Sequence, residues 1–236
     1  QNNHDHPVEN MSWWSALVYA NALSEKHGLK PAYDLRGIKF VDFESYPNQE
    51  DRIVLSPGAV FAVAAKGTLT ALIDEALPQI NAPHGDIYRA EGFRLPTEAE
   101  QEYLLRGAGK YARDYYFGED ESTLGEYAWF QKNSDESTQP VASKKPFHIG
   151  DKAIYDLLGN VWEWNHSNYV RIYTLDKRPA LIDPVGPAKS ENRCLRGGCF
   201  SNDTGYGGYF RAWQTHLASA LARGNCFGFR LVRTLK

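Results

Sequence analysis

The stretch YDLLGNVWEW, residues 155–164, decides how the rest of the chain is read. Gly159-Asn160 is a tight-turn pair, and the run that follows alternates in strand fashion. Trp162 and Trp164 share one face of that strand, while Glu163 takes the other. The closing run GFRLVRTL, residues 228–235, alternates in the same way. It is expected to lie as a strand against the WEW region and to close the core there.

Outward from this stretch, the chain has 236 residues, a net charge of −3 and a pI of about 6.2. The length is enough to bury a sizeable core. The charge gives no basic field that would attract nucleic acid or an anionic membrane surface. Aromatics make up 13%, including 6 Trp and 14 Tyr. Side chains this large either fill space between irregular segments or form a binding face. No apolar run reaches the roughly 18 residues of a membrane span. No repeat, linker or low-complexity block interrupts the chain, so one domain over residues 1–236 is expected. The three cysteines, Cys194, Cys199 and Cys226, are too few and odd in number for a disulfide framework. One bridge at most can form, and a thiol on or beside a strand reads as a small buried hydrophobe.

Helix signals are local and few. Ser12 caps WWSALVYANALSEKHG (13–28), which Gly28 closes. Thr97 and Glu100 form a capping box that opens a helix over 97–106. TLTALIDEAL (68–77), stopped by Pro78, reads as a further helix, and IKFVDF (38–43) as a short strand. The second half shows no sustained helical period. The fold class is therefore α+β, with two main helices near 12–27 and 97–106, short strands and many loops.

Four stretches occur in order: the Ser-Trp-Trp helix with LSEKHGLKPAY, then GFRLPTEAE, then YDLLGNVWEW, then LRGGCF with the final GFRLVR. Together they resemble the formylglycine-generating-enzyme, or sulfatase-modifying-factor, domain. The match runs from about residue 5 to the C-terminus, apart from 38–90. The resemblance implies an irregular C-type-lectin-like fold. The family begins with several dozen further residues, an apolar strand and a Pro-Val-Thr stretch, that this sequence does not contain. The chain is thus expected to be part of a longer bacterial protein, exported and either held at the cell surface by a lipid anchor on the missing N-terminal segment or released outside the cell.

Two kinds of metal chemistry follow from the resemblance. In the family the segment around YDLLGNVWEW carries a structural Ca²⁺, whose ligands here would be the Asp156 and Glu163 side chains and the Gly159 and Val161 carbonyls. Carboxylates bracketing a turn that offers carbonyls suit a hard cation. The same two carboxylates could instead cap turns or pair with Arg196 or Arg230. The enzymes also bind copper through two thiolates. Counted from Gly197-Gly198, those positions fall on Asn202 and Gly207, which supply no thiolate, so neither copper nor catalysis is expected. Glu98 and Glu100 read as part of a helix cap rather than an acid/base pair.

Residues 201–226, SNDTGYGGYFRAWQTHLASALARGNC, contain no Lys, Glu or Met, with Gln214 and Trp213 the only residues of their types. Nearly all the others are reached by varying the first two bases of an Asn codon whose third base stays a pyrimidine. This composition and placement resemble the variable proteins of diversity-generating retroelements, some of which use this version of the fold. The resemblance implies a hypervariable binding surface on a lectin-like scaffold, with the chain a non-catalytic monomer that meets a protein or cell-surface ligand. The alternatives are an oxidase relative of the formylglycine-generating type and a scaffold subunit without a variable face. An ordinary calcium-dependent sugar binder needs a Glu-Pro-Asn-like open site that is not found. The ligand-contacting residues expected are Ser201, Asp203, Thr204, Tyr206, Tyr209, Thr215, His216, Leu217, Arg223 and Asn225. Arg211, Trp213 and Gln214 are assigned to framework, with Arg196, Gly197 and Gly198 setting the turn that presents the segment.

Overall fold

The computed structural model describes residues 5–36, 38–42, 69–72, 78–109, 114–169, 182–187, 190, 192–205 and 208–235. They form two compact units interleaved along the chain. One is built from residues 8–95, 220–224 and 228–236, and the other from residues 1–7, 96–219 and 225–227.

The first unit opens with helix α1, Trp13–Lys26. Ser12 Oγ accepts from Ser15 N–H, so one otherwise orphan donor is satisfied as the cap reading expects. The helix buries Trp13, Trp14, Leu17, Val18 and Ala20. Behind it come β1 (Tyr33–Asp34), β2 (Lys39–Asp42), β3 (Leu69–Leu72) and β4 (Gln79–Ile80). The ladders β1–β4 and β2–β3 are both antiparallel. The expectation of a helix over 68–77 fails over its described part: Leu69–Leu72 is a strand paired with Lys39–Asp42, and 68 and 73–77 lie outside the described residues. A short apolar run without an N-terminal cap takes whichever periodicity its partner offers, and here the partner is the IKFVDF strand. The unit is pinned by side chains that satisfy backbone groups. Phe93 N–H donates to Ser24 Oγ, and Leu95 N–H donates to the buried Tyr33 hydroxyl.

The second unit carries α2 (Glu98–Leu105), the short α3 (Leu124–Tyr127), the hairpin β5–β6 (Phe147–Ile149, Lys152–Ile154) and a four-stranded sheet. The Thr97 capping box forms in full: Glu100 N–H donates to Thr97 Oγ1 at 3.2 Å, and Thr97 N–H donates to Glu100 Oε2 at 2.8 Å. The sheet is built from β7 (Trp162–Asn168), β8 (Asn192–Arg196), β9 (His216–Ser219) and β10 (Phe227–Gly228), in the order β10-β7-β8-β9. The closing run is not one long strand as expected. Only Phe227–Gly228 joins the sheet, while Val232 forms an isolated bridge with Arg94 in the first unit. Trp162 and Trp164 are both buried, and so is Glu163 on the opposite face. A strand at the centre of a sheet with both faces covered needs that arrangement, provided the carboxylate finds a donor.

Candidate functional site

The donor for Glu163 comes from α2. Gln101 Nε2 donates to Glu163 Oε2 at 2.6 Å, and Asn165 Nδ2 in turn donates to Gln101 Oε1. All three side chains are buried, so the ladder ties α2 to β7 through groups that are costly to leave unpaired. One strand over, Arg196 lies opposite Glu163 in register. Its guanidinium, 1% exposed, reaches Glu98 and Glu102 of α2, the latter at 2.5 Å. It also donates to the carbonyls of Ala212 and Gln214. Arg196 therefore holds two ends at once: helix α2, and the backbone that leads into β9.

The turn before the segment is set by two glycines. Gly197 and Gly198 have φ of +98° and +76°. A Cβ on Gly198 would stand 2.6 Å from the Phe210 ring. Phe200, Phe210 and Ala212 are buried, so a core residue follows the Gly-Gly pair and the segment dips back into the core at 210 and 212. Arg211 is held by Asp114 and, at 3.2 Å, by Glu121. Burial first, then Glu121, pushes the Tyr115 phenol upward beside it.

Between these anchors, the expected contact residues divide. Ser201, Leu217 and Asn225 are exposed, and Asp203 and Thr204 are half-buried. Asp203 Oδ1 accepts from Gly205 N–H, which closes a local turn. Thr215 donates to Glu98 Oε1 at 2.7 Å and so is tied to α2. Tyr209 and His216 are half-buried and both rest on Trp162: His216 stacks at 5.0 Å between ring centroids with a 26° tilt, and Tyr209 meets it edge-on at 5.7 Å. Burial lowers the pKa of His216. Arg223 is half-buried in the first unit, and Tyr206 and Gly207 lie outside the described residues. Trp213, expected as framework, is 49% exposed and tied by Nε1, which donates to Asp114 Oδ1 at 3.2 Å. A tryptophan within a stretch of small polar residues is the signal that points to it.

Asn202, at one of the family's thiolate positions, serves the turn: its Oδ1 accepts from Cys199 N–H at 2.9 Å and its own N–H donates to the Cys199 carbonyl. Of the expected calcium ligands, Asp156 Oδ2 accepts from Ala142 N–H at 2.7 Å, and Glu163 is engaged by Gln101. Among the described residues no group of three or more His, Cys, Asp and Glu gathers as a metal site. No helix among them is long and apolar enough to cross a membrane.

Short strands in a curled sheet, few helices and long ordered loops around a Trp-lined core strand define an α+β fold of the C-type-lectin-like kind. Residues 1–235 match the Sulfatase-modifying factor enzyme 1-like domain, and the chain belongs to that family. It is 31% identical over 177 residues to the chaperone protein LppX of Paenibacillus barcinonensis, covering 68% of this chain and 51% of that one. It is 34% identical over 153 residues to the formylglycine-generating enzyme of Streptomyces coelicolor, covering 60% of this chain and 47% of the enzyme. The chain thus spans about half the length of these relatives. Among solved structures it is similar to Treponema denticola variable protein 1, with a TM-score of 0.67 and 29% identity over 98% of this chain and 72% of that one.

Proposed function

We propose that residues 201–226 form a ligand-binding face of the diversity-generating-retroelement kind, carried on a non-catalytic sulfatase-modifying-factor scaffold. The observation that carries this reading is the division of the segment into two sets of side chains. Phe210, Ala212 and Arg211 are held by the core and by carboxylates, whereas Ser201, Leu217, Ser219 and Asn225 are open to solvent. Exposed loop positions on a stiff scaffold change sequence at little cost to the fold. Tyr209 and His216, seated on Trp162, supply rigid aromatic area, and the Ser, Gly and Asn residues supply adaptable hydrogen bonding. Similarity to a variable protein over nearly the whole chain supports the same reading. The partner is a protein or cell-surface ligand met outside the cell by a monomer. The similarity to formylglycine-generating enzymes favours an oxidase as the second reading. Against it stands Asn202, whose amide is spent on the turn at Cys199.

The test is to sequence the gene from many independent isolates of one strain lineage. Substitutions are expected to cluster in codons 201–225, at adenines, and to spare Arg196, Phe210, Arg211 and Ala212. Variation spread evenly along the chain would defeat the reading. In parallel, joint replacement of Ser201, Leu217 and Asn225 within the same residue set should leave stability within about 0.5 kcal/mol, as measured by urea unfolding.

Calcium at Asp156, Gly159, Val161 and Glu163 is proposed as a separate, structural matter. An ion bound only by the folded state raises Tm by mass action. Chelation is then expected to lower Tm, and Asp156→Ala to abolish the difference. If chelator leaves Tm unchanged in protein purified with calcium, the two carboxylates serve the fold through bonds such as those to Ala142 and Gln101 and not through an ion.

A further inference from the structure

The two ends of the segment meet at sulfur. Cys199 follows the Gly-Gly turn and Cys226 precedes Phe227 of β10. Ser201 Oγ lies 3.3 Å from Cys199 Sγ and 3.2 Å from Cys226 Sγ, so one hydroxyl joins both thiols. The backbone brings them there through one short stretch of chain: Phe200 N–H donates to the Asn160 carbonyl at 2.9 Å, and Trp162 N–H donates to the Cys226 carbonyl at 2.7 Å. Cys199 is buried, Cys226 half-buried and Ser201 exposed, so the cluster opens to solvent on one side. The Cys226 thiol and burial together push the Cys199 thiol well up. Cys194 sits apart on β8, buried, with its thiol raised by burial to about 12.

We infer that Cys199 and Cys226 form a reversible disulfide that staples the base of the 201–226 segment, with a small-molecule disulfide such as oxidised glutathione as the oxidant. The more accessible Cys226 thiolate attacks one sulfur of the oxidant. Its S–S bond breaks, one thiol leaves, and a mixed disulfide remains on Cys226. Ser201 releases its contacts with the sulfurs, and Cys199, losing its proton to solvent, attacks the Cys226 sulfur and expels the second thiol. Two cysteine thiols have lost two electrons and two protons, and the oxidant has become two thiols. The bond closes the segment into a loop whose ends no longer separate in the unfolded chain, which stabilises the native state. The staple does not depend on what the segment binds, or on whether it varies.

The experiment equilibrates the protein with oxidised glutathione, quenches in acid, and counts thiols in denaturant. The count should fall from three to one, and peptide mapping should show a single Cys199–Cys226 cross-link with Cys194 alkylated. Tm should rise by several degrees and return on adding dithiothreitol. Cys226→Ser and Cys199→Ser should each abolish the rise, while Cys194→Ser keeps it. Mapping on the unaltered protein decides the matter even if a variant fails to fold. Three thiols surviving oxidised glutathione, a cross-link to Cys194, or a bridge only between two molecules would overturn the inference.

Discussion

Replacing Arg196 with alanine is expected to cost about 3–5 kcal/mol, the range for breaking a buried, hydrogen-bonded ion pair by removing one partner. The guanidinium is 1% exposed and answers two carboxylates and two carbonyls. Without it, Glu98 loses this cation, Glu102 keeps Arg106 at 2.7 Å, and the Ala212 and Gln214 carbonyls lose this donor. The carboxylates are about 30% exposed, so water takes back part of the loss, which argues for the lower half of the range. Arg196→Lys should recover little, because an ammonium cannot reproduce the planar fork that meets both sides. Arg211 provides the contrast. It also touches two carboxylates, but with 34% of its side chain exposed, so Arg211→Ala should cost only about 0–1 kcal/mol. Urea unfolding of the three variants measures all of this. Equal losses for the two arginine-to-alanine changes would show that burial is not what gives Arg196 its weight.

Gly159→Ala should be the most damaging single change at a turn. Gly159 has φ of +75°, which costs an L-residue roughly 1–2 kcal/mol by itself. Its added Cβ would lie 2.2 Å from the Trp129 carbonyl oxygen and 2.7 Å from the Trp129 nitrogen. Both are backbone atoms and cannot swing aside. Moving them would break the bridge between Trp129 and Gly159, along with the bonds from Gly159 N–H to the Gly197 carbonyl and from Asn160 N–H to the Trp129 carbonyl. The loss should exceed about 4 kcal/mol, the range reserved for backbone strain and broken buried networks. Gly150 isolates the conformational part. Its φ is +59° and nothing lies within 4 Å of an added Cβ, so Gly150→Ala should cost only about 1–2 kcal/mol. Should the two variants melt alike, the packing of Trp129 against the turn is looser than its geometry indicates.

Tyr209 and His216 are among the expected ligand contacts, and their seat on Trp162 bears on what substitution there should do. A side chain at either position of the proposed face also covers a core tryptophan. Diversity at 209 and 216 is therefore expected to favour residues with aromatic or other large apolar surface, while 201, 217 and 225 accept a wider range.

What the sequence by itself determined is what neighbouring residues decide among themselves. The Ser12 cap and the Thr97–Glu100 box are satisfied within three residues, and both helices begin where those signals place them. Gly159-Asn160 takes the positive-φ turn this residue pair favours, and the WEW run is a strand as its alternation indicates. Only the tertiary structure decided the partners. Local periodicity favoured a helix for LTAL until pairing with Lys39–Asp42 made it a strand. Glu163 waited on Gln101, 62 positions away, and Arg196 on Glu98 and Glu102, 98 and 94 positions away. Cys199 and Cys226 gave no sign of each other across 27 positions of chain, because the backbone around Asn160 and Trp162 brings both to the Ser201 hydroxyl. Spacing along a chain determines which groups can meet within a turn or two; beyond that, a buried donor is matched to its acceptor by the closing of the fold, which no short stretch records.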